Sequence, residues 1–340
     1  MNSISNIYRI IFWGELITEN WNIHLNYDPL PHLITSPNKA IAYFSQRDLL
    51  EEDVESLETL WELPSVAYLL RKQQEDGAWK YPGGKLEIRS QQNYNQLETY
   101  RIVGGLIEKY GLTRSHPAII KATDFLFRFQ TSEGDFRGIY GTQYTPNYTA
   151  AILELLIKAG YTNNPRLEKG FEWLLSCRQS DGGWAIPLRT VGAKLDQSTL
   201  NSKTIKPDIL KPSSHLVTGC VLRAFAAHPK LRSRKEVKIA GKLLASRLFK
   251  RDKYPDRQDA SFWTKFSYPF WFTDLLSALD SLSFLGFTPN NTHIKNGLDW
   301  FIAKQDETGG WTLSLLRVRD KDLPLWIALA ICRVFKRFYG

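Results

Sequence analysis

Read for the alternation of apolar and polar positions, the chain is helical almost from end to end. Residues 165–179 set the pattern: Phe171, Trp173, Leu174, Leu175 and Cys177 share one face at helical spacing, and the stretch closes on Gln179. Ser180-Asp181-Gly182-Gly183 then breaks the helix, because paired glycines reach positive φ without steric cost, and Trp184 follows at once. Amphipathic stretches of this kind also cover residues 117–130, 234–249 and 292–305. Between them lie stretches that are apolar on nearly every side: 95–110, 147–159, 214–227, 272–285 and 325–338. Two kinds of helix in alternation predict two layers, the apolar set inside and the amphipathic set outside. Strand signals are scarce.

The unit repeats. Gln73 leads through Glu75-Asp76-Gly77-Ala78 to Trp79, Gln130 through an acidic glycine turn to Phe136, Gln179 to Trp184, and Gln305 to Trp311. A recurrence of about 50–60 residues is the mark of a helical array. The longer interval before Gln305 holds two units, with a degenerate turn at residues 249–263 that has lost its Gln and kept Trp263. Residues 1–50 read as an N-terminal arm ending in a short helix at 38–50, and residues 51–340 as an array of about five helix pairs. The helical stretch at 51–74 is interrupted or restarted at Pro64, and residues 188–211, rich in Thr, Ser and Lys, read as a loop inserted over one mouth.

Composition changes this picture in three places. Eleven Trp, 15 Tyr and 18 Phe are many for 340 residues; some of them fill gaps between stacked helices and others line a cavity for a large apolar ligand. The net charge of +9 is spread along the chain without a nucleic-acid-binding motif, which argues against a nucleic-acid partner. The basic run at Arg333–Arg337 beside an apolar stretch reads as a peripheral membrane contact. Three cysteines, Cys177, Cys220 and Cys332, all in apolar helical context, argue for a reducing, cytoplasmic compartment. No apolar run approaches the roughly 18 residues of a membrane span.

Apolar helix, Gln, short acidic glycine turn and aromatic plug, repeated along residues 50–340, resemble the Gln-Trp repeats of squalene–hopene and oxidosqualene cyclases. The helix-pair array is also similar to the β subunits of protein prenyltransferases. The resemblance implies an all-α fold, an α/α toroid whose inner helices surround a funnel. It implies that each Gln bonds free amides at the start of the next helix and that these repeats are structural. It implies an isoprenoid or other apolar ligand, and isomerisation, cyclisation or a related lyase step. In such cyclases an Asp-x-Asp-Asp motif opens an inner helix and its central Asp donates the proton. The corresponding frame here is Trp271-Phe272-Thr273-Asp274, where only the last acid is present. Prenyltransferases hold zinc through an Asp-x-Cys pair and a His. No Asp-x-Cys occurs here, and Cys220 lies on a different helix face from His215, so neither metal nor cofactor is expected.

Inner helices that point their N-termini at one mouth bring polar residues together there. On that basis Asp274 and His215 are the candidate catalytic residues, as proton donor or base. Glu98, Tyr144, Asn147, Tyr148, Trp271, Phe272, Thr273 and Trp326 are the candidate ligand-lining residues, the aromatic ones also able to steady a cation through their ring faces. Two other readings compete: a binding or scaffold protein that has lost the acid motif, and a carbohydrate-active toroid using Glu98 with Asp274.

Overall fold

A computed structural model describes residues 21–83, 90–316 and 320–340 of the chain; most of the expected N-terminal arm lies outside them. In chain order the helices are α1 (Leu30–Ile34), α2 (Lys39–Leu49), α3 (Pro64–Leu70), α4 (Gln91–Tyr110), α5 (Pro117–Phe127), α6 (Pro146–Leu156) and α7 (Pro165–Ser176). They continue as α8 (Pro187–Thr190), α9 (Gln197–Leu200), α10 (His215–Ala227), α11 (Lys235–Ala245), α12 (Leu275–Phe284), α13 (Thr292–Ala303) and α14 (Leu323–Tyr339). Two short strands, β1 (Lys265–Phe266) and β2 (Ser314–Leu315), pair in parallel.

Six helices, α2, α4, α6, α10, α12 and α14, pack side by side in that order, and α14 returns to α2. The ring is closed. Outside it, α1 packs on α2, α3 and α5 on α4, α7 on α6, α11 on α10 and α12, and α13 on α12. The fold is an all-α double-ring toroid. The layers follow the sequence pattern: twelve of the thirteen residues in α10 are buried, whereas α11 buries only Val237, Ala240, Gly241, Leu244 and Ala245 along one stripe.

The ring begins earlier than the sequence suggests. A toroid starting at residue 51 would lack α2, which supplies the sixth inner helix. Its Ala40, Ile41 and Phe44 are buried against the core, and Asn38 caps it by accepting from the amides of Ala40 and Ile41. The short length of α2 had disguised it as part of an arm. Pro64 starts α3 at its first turn after a short helical turn at Leu57–Glu62, in keeping with a restart at this proline.

The glycine turns are the latches between units. Each Trp plug donates its indole N–H to a carbonyl near the end of the preceding outer helix: Trp79 to Leu69 at 2.8 Å, Trp184 to Leu174 at 2.6 Å and Trp311 to Phe301 at 2.9 Å. Trp263 does the same toward Lys250 at 2.9 Å, so the degenerate turn keeps its plug. The backbone amides of Trp79, Phe136 and Trp184 each donate to a Thr hydroxyl on the next inner helix, Thr99, Thr149 and Thr218. These three turns therefore tie an outer helix to the inner helix that follows it.

The Gln side chains donate to carbonyls, and Gln305 also accepts from the free Tyr27 amide, a bond of the expected kind. Gln73 Nε2 reaches Ala118 O at 2.8 Å, Gln130 Nε2 reaches Arg166 O at 2.7 Å, and Gln305 Nε2 reaches Tyr27 O at 2.7 Å. The first two acceptors are the second residues of α5 and α7; the third lies just ahead of α1 and closes the outer layer. Close approach at this point excludes a side chain. A Cβ on Gly134 would lie 2.5 Å from Lys169 O, and one on Gly309 would lie 2.3 Å from Asp28 O, both at positive φ.

One turn departs from the sequence register. Gln179 is one residue nearer its aromatic than the other glutamines are. Its amide donates to Asp208 O at 2.8 Å and Lys211 O at 2.9 Å, in the inserted loop. Arg178 takes the latch position instead: its Nη1 donates to Glu236 O at 3.3 Å, the second residue of α11. The insertion is further pinned where Arg189 grips Asp256 with two bonds of 2.7 Å.

If Arg178 replaces the latch glutamine, Arg178→Gln retains wild-type stability in urea denaturation, while Arg178→Ala loses about 1 kcal/mol. Equal stability of the two variants would remove the assignment.

Candidate functional site

The segment from β1 to Asp274 runs into the middle of the ring and decides where space remains. Tyr268 is buried against Trp326, ring centroids 5.7 Å apart, and its hydroxyl donates to Glu108 O at 3.3 Å while accepting from Arg333 Nη1 at 3.2 Å. Phe270 packs edge-on against Tyr268, and Trp271 lies against Tyr100. These rings form a floor across the axis. A cavity of about 720 Å³ lies beyond that floor, at the C-terminal ends of the inner helices.

Its walls combine apolar and charged groups. Phe44, Leu57, Ile107, Tyr268, Phe270 and Phe284 supply the apolar surface, and Asp48, Glu108, Lys158, Asp280, Arg333 and Arg337 supply the charges. The charges are paired across the ring: Arg333 with Asp48 on α2, Arg337 with Asp280 on α12, and Lys158 with Glu108 on α4. Deeper, Glu154 accepts from Lys158 Nζ at 2.8 Å and from Arg223 Nε at 3.0 Å. Burial pushes the Glu154 carboxyl up, but the charges of Lys158 and Arg223 hold it below the usual carboxylate range. Asp48 is likewise lowered, burial being outweighed by the charges of Arg333 and Arg47. Removing one member of such a buried network costs about 3–5 kcal/mol.

Two smaller cavities adjoin it. One of about 190 Å³ lies on the other side of the floor, between α4, α14 and the crossing segment, and is lined by Glu98, Arg101 and Trp271 among others. The second, about 380 Å³, lies between the ends of α6, α10 and α12.

The sequence candidates do not converge on one space. Asp274 is buried as the N-cap of α12: its Oδ1 accepts from Ser277 N at 2.8 Å, and the Ser277 hydroxyl accepts from Asp274 N at 2.9 Å. It lines none of the three cavities. Burial pushes its carboxyl up to about 7, against the bonds from Ser277. His215 faces away from the axis: its ring lies 4.6 Å from Trp263 and its Nε2 is 3.4 Å from Asp252 Oδ2. Asp252 also accepts from Ser214 Oγ at 2.8 Å and Leu216 N at 3.0 Å, so this cluster anchors the degenerate turn to the start of α10. Burial holds the imidazole below its ordinary value.

The lining candidates divide similarly. Glu98 pairs with Arg101 at 2.8 Å, and together with Trp271 it borders the small cavity. Tyr144 is taken up by the inserted loop, donating to Glu133 Oε2 at 2.6 Å and accepting from Lys206 Nζ. Thr273 donates to Leu216 O at 2.6 Å and packs where a Cβ on Gly219 would stand. Phe272 lies under the Arg257 guanidinium at 3.5 Å, Tyr148 meets Tyr100 and Tyr140 edge-on, and Trp326 supports Tyr268 from behind. Asn147 Oδ1 is buried with no hydrogen-bond partner among the described residues. Aligning inner helices by their ends finds their shared height but not the direction of each side chain, and it misses the segment that crosses the axis.

The residues around the large cavity were missed for a simpler reason: they lie at the opposite ends of the same helices. A signal was present. Arg223 sits in a helix that is otherwise apolar, and Glu154 with Lys158 is spaced four apart near the end of another; charges in such places need partners inside the ring. Arg333, Lys336 and Arg337 also turn inward, pairing with Asp48, Glu51 and Asp280, so this basic run is not a free lipid-facing surface. Among the described residues, no helix is long and apolar enough to cross a membrane.

The Asp274 carboxyl gives a pH signature. A folded-state value raised from 3.8 to about 7 means the native protein binds the extra proton through that window, so this group's contribution to stability falls as pH rises from 3.8 to 7 and is level above. Asp274→Asn keeps the cap and loses the titration. Its stability relative to wild type should therefore rise across that window, by up to roughly 4 kcal/mol, in urea denaturation at stepped pH. A difference independent of pH would show that Asp274 is ionised throughout.

Residues 97–205 match the profile of the squalene-hopene cyclase C-terminal domain. No curated protein sequence matches the chain. Among solved structures, a variant of the type II terpene cyclase MstE from Scytonema, in complex with geranylgeranyl dihydroxybenzoate, is similar at 13% identity and a TM-score of 0.40, over 82% of this chain and 96% of that one. An ent-copalyl diphosphate synthase from Streptomyces platensis is similar at 16% identity and a TM-score of 0.39, over 87% of this chain and 50% of that one. An alpha-amylase from Clostridium perfringens is similar at 11% identity and a TM-score of 0.42, over 95% and 86%. The profile match falls on two inner–outer helix pairs, α4 with α5 and α6 with α7, and on the inserted loop that follows, and over that part the chain is similar to the squalene-hopene cyclase C-terminal domain.

Proposed function

We propose that this chain is a ligand-binding toroid that lodges an isoprenoid-like chain in the large hollow at the C-terminal ends of the inner helices, without starting a cyclisation by proton transfer from Asp274. The observation that carries this reading is the hollow: about 720 Å³, floored by Tyr268 and Phe270 and flanked by Phe44, Ile107 and Phe284. Small-molecule sites occupy about 300–1,000 Å³ and are mostly apolar with a few placed polar groups. An apolar chain laid against these rings would gain about 25 cal/mol for each Å² it removes from water.

Proton-started cyclisation needs an acid that is both protonated and turned toward the ligand. Asp274 meets the first condition only; Asp48, which lines the hollow, and Glu154, which lines the adjoining cavities, are held ionised by Arg and Lys. That division supports binding over catalysis. The carbohydrate reading loses its support too, because Glu98 is held by Arg101 and Asp274 by its cap.

Farnesol titrated against the full chain, followed by tryptophan fluorescence, tests the reading. Wild type should bind saturably, and Ala330→Phe, which fills the hollow from α14, should weaken binding at least tenfold with helicity unchanged. Asp274→Asn should bind as wild type does and neither should convert farnesol to another product. Undiminished affinity in Ala330→Phe would move the ligand elsewhere.

A further inference from the structure

We infer that residues 7–17 of this chain dock across the mouth of the large hollow and compete with its apolar ligand for the space. Resting on the ligand-binding reading of the hollow, the contact supplies what covers that space when no ligand fills it. Residues 7–17 read Ile-Tyr-Arg-Ile-Ile-Phe-Trp-Gly-Glu-Leu-Ile. All but Arg9, Gly14 and Glu15 are apolar, and those two charges cancel. A run so rich in apolar side chains needs an apolar surface to lie on.

The point of attachment decides which surface it meets. The described chain begins at Trp21, and the turn Trp21–His24 packs on α14 with the His24 ring stacked on Tyr339 at 3.8 Å. Gly340, the next residue after Tyr339, lines the hollow. At no more than about 3.6 Å per residue, Ile17 stays within roughly 14 Å of Trp21, so the segment starts at the hollow's edge.

The rim offers what such a segment requires. Phe284 on α12 lines the hollow and is 42% exposed, and Leu50, beside the lining residue Glu51, is 37% exposed. The charges there are already matched, Lys336 with Glu51 and Arg337 with Asp280. An apolar rim with balanced charge suits a neutral apolar segment. An anionic lipid surface would instead draw on unpaired basic residues. A second copy would have to compete with a tethered run whose effective concentration at the rim is on the order of millimolar. While the segment lies there, the ligand's apparent affinity is reduced in proportion to the fraction of molecules left open.

The test places a photoreactive group in the full chain, Phe12→p-benzoylphenylalanine, and maps the adducts by peptide mass spectrometry after illumination. Adducts within one chain are expected around Phe284 or on the last turns of α14, and saturating farnesol should lower their yield at least threefold. The double variant Ile10→Ser with Trp13→Ser, helicity unchanged, should bind farnesol at least threefold more tightly than wild type. Adducts elsewhere on the chain, adducts between two chains, or none above background overturn the docking. Adducts at the rim that persist while farnesol binds, or equal farnesol affinity in the double variant, overturn the competition. The two claims separate cleanly: farnesol binding without rim adducts leaves the hollow and removes the segment, and rim adducts without farnesol binding do the opposite.

Discussion

The whole molecule depends on closing a ring of helices that have nothing covalent holding first to last. An inner helix that is apolar all round cannot face water on any side, so each needs a neighbour on both flanks and an outer helix behind. Closure is completed where α14 meets α2, and it is fastened from outside by Gln305, whose amide bonds Tyr27 O and whose Oε1 accepts from Tyr27 N at 3.0 Å. Arg333 adds an ion pair from α14 to Asp48 on α2. The last turn of the chain thus performs, on the first segment, the same act that each earlier turn performs on the helix following it.

A closed ring leaves an axis, and the axis cannot stay empty along its full length. Here one connection, Lys265 to Thr273, fills part of it with Tyr268, Phe270 and Trp271, and the Asp274 cap holds the end of that connection in place. The same carboxylate position that resembles a cyclase acid therefore serves to anchor the floor of the cavity. Its high proton affinity follows from burial, and burial is also what separates it from the hollow. The charges that do reach the space are locked across the ring between helices, where they fix the distances between α2, α4, α6, α12 and α14.

Period and composition made the architecture legible. The alternation of greasy and amphipathic helices, the glycine turns and the Trp plugs each correspond to an element that forms for the reason the sequence suggests. The failures are instructive because each has a local cause. Gln179 looks like its counterparts, but a spacing one residue shorter gives its role to Arg178. His215 stands at an inner helix start, but one face of such a helix looks outward, and Asp252 and Trp263 wait there. Side-chain direction around a ring depends on rotation about each helix axis, which the positions of helix ends do not record. The hollow itself is formed by residues far apart in the chain, from Phe44 to Arg337, with no motif linking them.

The central claim is that the usable space lies at the C-terminal ends of the inner helices. A photoreactive diazirine analogue of farnesol, activated on the intact protein and mapped by peptide mass spectrometry, reads that location directly. The account predicts adducts on the later turns of α12 and α14, around Phe284 and Ala330. Adducts concentrated instead on Tyr148, Phe272 or the start of α12 would contradict it.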